Sequence, residues 1–174
     1  MEIPEIRTER LLLRGWRDDD VDDYARICSD KETMRYMLPP RPLTPAEAGF
    51  DVENLREHWW VHGFGHWAVE ELETGRLVGR TGIKHHDDWP DDPENTEVGW
   101  LYDREVWGRG FATEAARAAV RFGFEELERS EIISICHPDN VASRRVMEKV
   151  GLRYAGQTRW EAKGMEVVWY VARR

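Results

Sequence analysis

Cysteine is scarce in this chain, with only Cys28 and Cys136 among 174 residues. Two such isolated cysteines read as free thiols rather than as a disulfide. Long apolar runs are missing as well. The longest, Val167 to Ala172, falls far short of the roughly 18 residues that suggest a membrane span. The opening Met1-Glu2-Ile3-Pro4-Glu5 has neither a basic start nor an apolar stretch, so no secretory leader is expected and a cytoplasmic location fits best. Positive charge is in deficit: 25 Lys and Arg against 34 Asp and Glu leave a formal charge of −9. That balance argues against indiscriminate binding to nucleic-acid phosphates and mildly favours a cationic acceptor. No repeat, low-complexity tract or linker divides the sequence, so residues 1–174 read as one domain. What is present is a globular composition, 41% hydrophobic and 34% charged with nine Trp, in a chain long enough for one core.

The apolar pattern predicts a strand over Arg10 to Trp16, then a helix to about Cys28 whose caps and first-turn charge come from Asp18, Asp19 and Asp20. Thr44, Pro45 and Glu47 form a capping-box start for a helix reaching about Trp60. Strands are expected at His66 to Leu72, Leu77 to Lys84 and Thr96 to Tyr102, the first two joined by a Thr74-Gly75 turn and the last preceded by an acidic loop from Asp87 to Asn95. Ala116, Ala119, Val120, Gly123, Phe124 and Leu127 mark one face of an amphipathic helix. Ile132 to Cys136 reads as a central strand. Asn140 opens a helix with a buried stripe of Ala142, Val146, Met147 and Val150 that Gly151 ends. Two closing strands, about Arg153 to Ala162 and Met165 to Val171, meet at Lys163-Gly164. Strands and helices mixed in this order imply an α+β domain with a mixed sheet.

Glu105-Val106-Trp107-Gly108-Arg109-Gly110-Phe111-Ala112-Thr113-Glu114 lies directly before the amphipathic helix. Glycines let backbone amides approach a ligand, the first amides of a helix lack internal partners, and the helix dipole is positive there. The segment can bind phosphate or pyrophosphate, or it can be a tight turn with no ligand. It has no Gly-Lys-Ser/Thr, which separates it from nucleotide-triphosphate loops.

With these residues in place, the sequence resembles the GNAT superfamily of acetyl-CoA-dependent N-acetyltransferases, most closely its RimJ/RimL-like branch, which acetylates ribosomal-protein N-termini and related amines. Thr8 to Arg14, Gly79 to Ile83, Trp107 to Ala116 (WGRGFATEAA) and Asn140 to Leu152 (NVASRRVMEKVGL) carry the match, in the family's order. The resemblance implies a mostly antiparallel sheet of about six or seven strands flanked by about four helices, with strands splayed at the cofactor site. It implies acetyl-CoA as acyl donor and no metal. Backbone amides of Arg109, Gly110, Phe111, Ala112 and Thr113 would hold the pyrophosphate, with Gly108 in the same loop. Val106 and Trp107 would pair with the pantetheine arm, Asn140 would bond its amides, and Ser143 would lie near the thioester sulfur. Arg144 or Arg145 would reach the 3′-phosphate. Many relatives carry a tyrosine acid where this chain has Met147, which leaves the thiolate to be protonated by Ser143, by water, or not at all.

An amine attacks a thioester only when neutral. Near pH 7.4 an α-amino group of pKa about 7.9 is roughly a quarter neutral, and a lysine of pKa about 10.4 about once in a thousand. A base therefore helps, and Glu97 is the candidate. Alternation puts Glu97, Gly99 and Leu101 on one face and Val98, Trp100 and Tyr102 on the other, while amides around Trp100 and Leu101 could hold the oxyanion. The bland reading of Glu97 is a solvated strand residue. Asn140 and Ser143 have bland readings too, as an ordinary helix cap and a first-turn serine. His85 and His86 point to opposite faces and cannot chelate together, Tyr102 is an alternative acid, and Trp59, Trp60 and Trp67 line either a pocket or the core. Cys136 is expected to be buried and inert.

The expected activity is direct transfer of acetyl to a primary amine, a protein N-terminus or a small molecule, chosen by loops around residues 35–65 and 85–95. The rival is a non-catalytic acyl-CoA sensor. A homodimer through the last strands is also open.

Overall fold

The computed structural model describes residues 2–86, 89 and 96–174. In chain order these form β1 (Ile6–Arg7), β2 (Leu11–Arg14), α1 (Asp20–Cys28), α2 (Pro45–His62), β3 (His66–Glu71), β4 (Leu77–His85), β5 (Thr96–Tyr102), α3 (Phe111–Glu125), β6 (Glu131–Cys136), α4 (Val141–Lys149), β7 (Arg153–Trp160) and β8 (Met165–Arg173). The α+β expectation holds, with four helices and a mostly antiparallel sheet. The sheet has eight strands rather than six or seven, because Ile6 and Arg7 pair with Leu13 and Leu12 as a short strand that leaves no apolar alternation to read. The acidic loop expected over Asp87 to Asn95 lies, apart from Trp89, outside the described residues.

Local signals explain most boundaries. Thr44 accepts from the Glu47 amide while the Glu47 carboxylate accepts from the Thr44 amide, and Gly63 at φ 76° ends the helix. The start of α1 differs from expectation. Asp19 occupies the cap position without a side-chain bond, and Asp20 turns inward instead. Its carboxylate takes both Nη atoms of buried Arg14 at 2.7 and 2.8 Å and the Arg17 amide at 2.7 Å. A bidentate pair satisfying a buried guanidinium outweighs a solvent-facing cap.

The strand order is β1-β2-β3-β4-β5-β6-β8-β7. Every neighbouring pair is antiparallel except β5 and β6, which are parallel and share one residue pair, Glu97 with Ile133. Two antiparallel blocks thus meet at a seam that opens past Glu97. Helix α3 packs on one face, where Trp67, Val69, Ile83, Val98 and Ile132 meet Ala115, Ala116 and Ala119. The approach is close: a Cβ on Gly123 would lie 2.6 Å from Ile132 Cδ1. Helices α1 and α2 cover the other face through Tyr24, Ile27, Val52 and Leu55 against Ala68, Leu77 and Leu101.

One irregularity matters for the site. Val69 pairs with Gly79 but Glu70 with Leu77, leaving Val78 as an extra residue in β4. Such a bulge resets the alternation. Leu77 and Arg80 therefore both face α1 and α2, where strict alternation would put them on opposite faces.

Candidate active site

The opened seam is the floor of a cleft of about 1280 Å³ that runs from the α1–α2 side to the start of α3 and the face of α4. Gly108 and Gly110 adopt φ of 77° and 83°, which lets the chain turn sharply into α3. The amides of Val106, Trp107 and Arg109 already donate to the carbonyls of Asp103, Arg104 and Val106 at 3.1, 3.2 and 3.3 Å. The amide of Glu114 begins the helical ladder by donating to Gly110 at 3.0 Å. Amides of Gly108, Gly110, Phe111, Ala112 and Thr113 are left without a backbone acceptor among the described residues. This free set differs from the expected one, since Arg109 drops out and Gly108 joins. Strand-like pairing at Val106 and Trp107 is likewise limited, because their amides are engaged and residues 104–106 form a single 3-10 turn.

The N-terminal segment fastens this loop. Glu114, in the first turn of α3, accepts from Thr8 Oγ1 at 2.7 Å and from the Arg10 amide at 2.8 Å and Nε at 2.7 Å. Arg10 also reaches the Arg109 carbonyl at 2.9 Å. Burial works against the Glu114 charge, but these donors outweigh it and hold the carboxyl below its ordinary value. The Arg109 guanidinium turns away from the loop's mouth to pair with Glu71 and stack over Phe111.

Strand β5 supplies the centre. Val98 accepts at its carbonyl from Ser134 Oγ at 2.8 Å across the seam, and Tyr102 accepts from the Trp107 indole at 3.0 Å. Backbone direction alternates along a strand, so Trp100 also turns its N–H into the seam while Leu101 faces β4. Of the two expected oxyanion donors, the geometry leaves Trp100. On the α1–α2 side Glu97 lines the cleft and its carboxylate meets His86 Nε2. His85 points elsewhere, its ring 5.5 Å from that of His62. Tyr102 is buried and bonded to Thr81 Oγ1 at 2.7 Å, and burial pushes its phenol up.

Helix α4 walls the far side. Asn140 caps it by accepting from the Ser143 amide at 3.1 Å, which confirms the capping reading and leaves the Asn140 Nδ2 to donate. Asn140, Ser143 and Met147 all line the cleft. Only Met147 of the expected stripe is fully buried, since the cleft replaces core along part of this helix. Cys136 departs from expectation in lining the cleft half-buried, although burial pushes its thiol up to about 12 and keeps it protonated. Arg144 turns to the Tyr170 hydroxyl at 3.1 Å, and Arg145 is exposed and lines neither this cleft nor the adjoining hollow. That hollow is bordered instead by Arg10, Arg117 and Lys149, together with Gly110 and Thr113. Trp59 and Trp67 are core residues, 1% and 0% exposed, while Trp60 is 70% exposed. None of the three lines the cleft.

A helix start with free amides beside a seam of parted strands is the arrangement that the resemblance implies. The model of the GNAT acetyltransferase domain matches residues 10–153. The chain is 42% identical to the Bacillus subtilis N-acetyltransferase YnaD over 151 residues, 87% of this chain and 84% of that one. The crystal structure of an acetyltransferase from Agrobacterium tumefaciens superposes with a TM-score of 0.84 at 27% identity, over all of this chain and 96% of the other. RimL, an acetyltransferase of ribosomal L7/L12 α-amines solved with coenzyme A, shares the fold at TM-score 0.80 and 15% identity over 98% of each chain. The chain belongs to the GNAT acetyltransferase family, and it is an acetyl-CoA-dependent N-acetyltransferase.

Proposed function

We propose that this protein, acting as one domain over residues 1–174, moves acetyl from acetyl-CoA directly to a primary amine within a ternary complex. The observation that carries this reading is the meeting of the free amides of Gly110 to Thr113 with the opened β5–β6 seam. The amides and the α3 dipole suit the pyrophosphate, while Arg117 and Lys149 are better placed than Arg145 for the 3′-phosphate. The pantetheine arm would lie along the seam as a strand would, with Asn140 Nδ2 near its amides.

Glu97, with His86 against it, takes the proton that the amine must lose. The amine nitrogen then bonds to the thioester carbon, and charge builds on the carbonyl oxygen facing the Trp100 amide. The nitrogen gives up its second proton as collapse breaks the carbon–sulfur bond, and the coenzyme A thiolate leaves with that proton available, through water, to neutralise it. Ser143 lies on the cleft wall where a proton for that sulfur is needed, and Met147 can supply none.

Initial rates measured while both substrates are varied test the order of events. Direct transfer gives intersecting double-reciprocal lines. Parallel lines, with an acetylated protein trapped without acceptor, would refute it in favour of an acyl-enzyme.

A further inference from the structure

Two donors of the cleft have no use in that mechanism. Arg80, brought to this face by the β4 bulge, donates through Nε to the Tyr24 hydroxyl at 2.8 Å and through Nη1 to His66 Nδ1. Tyr24 passes its own proton on to Asp51 at 2.6 Å. Arg80 thus touches no carboxylate among the described residues, and its Nη2 bonds to nothing there while the residue lines the cleft. A guanidinium can only donate, so His66 Nδ1 must be the acceptor. The ring proton then sits on Nε2. His66 is 4% exposed, lines the cleft, and has no partner for that Nε2. A buried donor left without an acceptor costs on the order of a lost hydrogen bond, so native folds keep few of them.

Gly99 packs directly on the imidazole: a Cβ there would lie 3.1 Å from His66 Cε1 and 3.3 Å from Nε2. Lys84 adds a further positive charge to the same face beside Arg80, while the wider cleft lining carries Glu32, Glu47, Asp51, Glu97 and Asp139. Although the whole chain is acidic, this part of the cleft presents donors and positive charge.

We propose that the amine acceptor also carries a carboxylate, held by Arg80 Nη2 and His66 Nε2–H, so that the substrates are free amino acids rather than protein N-termini. The inference rests on the transfer reading above, since it names the acceptor of that site. One carboxylate oxygen on each donor would satisfy both, and a guanidinium suits such an anion better than a point charge does.

The test pairs each amino acid with the amine lacking its carboxyl, tryptophan with tryptamine and leucine with 3-methylbutylamine, and includes the matching dipeptides. Binding is measured by calorimetry on protein saturated with coenzyme A, and turnover by thiol release from acetyl-CoA. Wild type is expected to favour some amino acids over their decarboxylated partners and dipeptides. Arg80→Gln is expected to erase that preference through KM, by about 10- to 100-fold, while tryptamine-type turnover changes little. Gly99→Ala, which crowds the His66 imidazole without removing a charge, is expected to weaken the same substrates selectively. Equal use of amino acid and amine by wild type, or an equal loss for both in Arg80→Gln, would overturn the proposal and leave amine transfer standing. Carboxylate-dependent binding that needs Arg80 but yields no acetylation would support the carboxylate site and overturn the transfer reading instead.

Discussion

At the scale of single residues, the site depends on a few groups whose neighbours fix their state. Glu97 meets His86 inside the cleft, and a carboxylate in that position is suited to collect a proton from an amine. Glu97→Gln should lower kcat/KM about 100- to 1000-fold at neutral pH and recover part of it at high pH, where the free amine needs no base; a pH–rate profile measures both. Ser143→Ala should lower kcat by less than Glu97→Gln, because water can also reach the thiolate at the cleft wall; the kcat of the two variants against acetyl-CoA compares them. That Glu97 and Ser143 face the cleft was legible from strand position and resemblance. Arg80 and His66 were not, because strict alternation points Arg80 to the wrong face and nothing in the sequence marks the Val78 bulge that turns it. The missing phenol at Met147 could be read directly, whereas the orientation of Arg144 toward Tyr170 depends on a β8 neighbour distant in sequence.

At the scale of elements, α3 begins where the loop ends, and its first turn is held by residues over a hundred positions away. Removing the Glu114 carboxylate takes the acceptor from the Thr8 hydroxyl, the Arg10 amide and the Arg10 Nε together. Glu114→Ala should cost about 1–3 kcal/mol of stability and weaken acetyl-CoA binding as the loop loosens; urea titration and calorimetry report the two effects. Thr44→Ala removes the α2 cap and should cost about 1 kcal/mol without touching donor affinity. Apart from the two-residue β1, helix and strand identities were readable from periodicity and capping chemistry. The clamp between Thr8, Arg10 and Glu114 was not, since the motif Thr8 to Arg14 is recognisable without revealing what it grips. Asp20 was read as part of a cap for the same reason: its true partner, Arg14, lies on a strand that only the folded chain brings alongside.

At the scale of the whole molecule, two imidazoles, His66 buried and His58 half-buried, make the fold sensitive to acid. His58 donates from Nδ1 to the Phe64 carbonyl at 2.8 Å and accepts at Nε2 from the His85 amide at 3.1 Å, so it must be neutral. Burial lowers its pKa to about 4. Burial and the nearby Arg80 also push His66 well below the ordinary value. Both rings gain protons on unfolding once the pH drops below about 6.5, so the unfolded state binds more protons there and stability falls with falling pH. His58 should contribute roughly 1 kcal/mol per pH unit between pH 6 and 5, and His58→Gln should flatten the slope by about that amount in urea titrations across that range. The seam between β5 and β6 has a different consequence. One residue pair joins the two halves of the sheet there, and the backbone beyond it is left to be completed by whatever lies in the cleft. On the proposed reading acetyl-CoA finishes the sheet there, which ties the protein's lifetime to the supply of that fuel. Digestion by a nonspecific protease should slow as acetyl-CoA is added, so a cell short of activated acetyl groups would clear this catalyst sooner than a well-fed one.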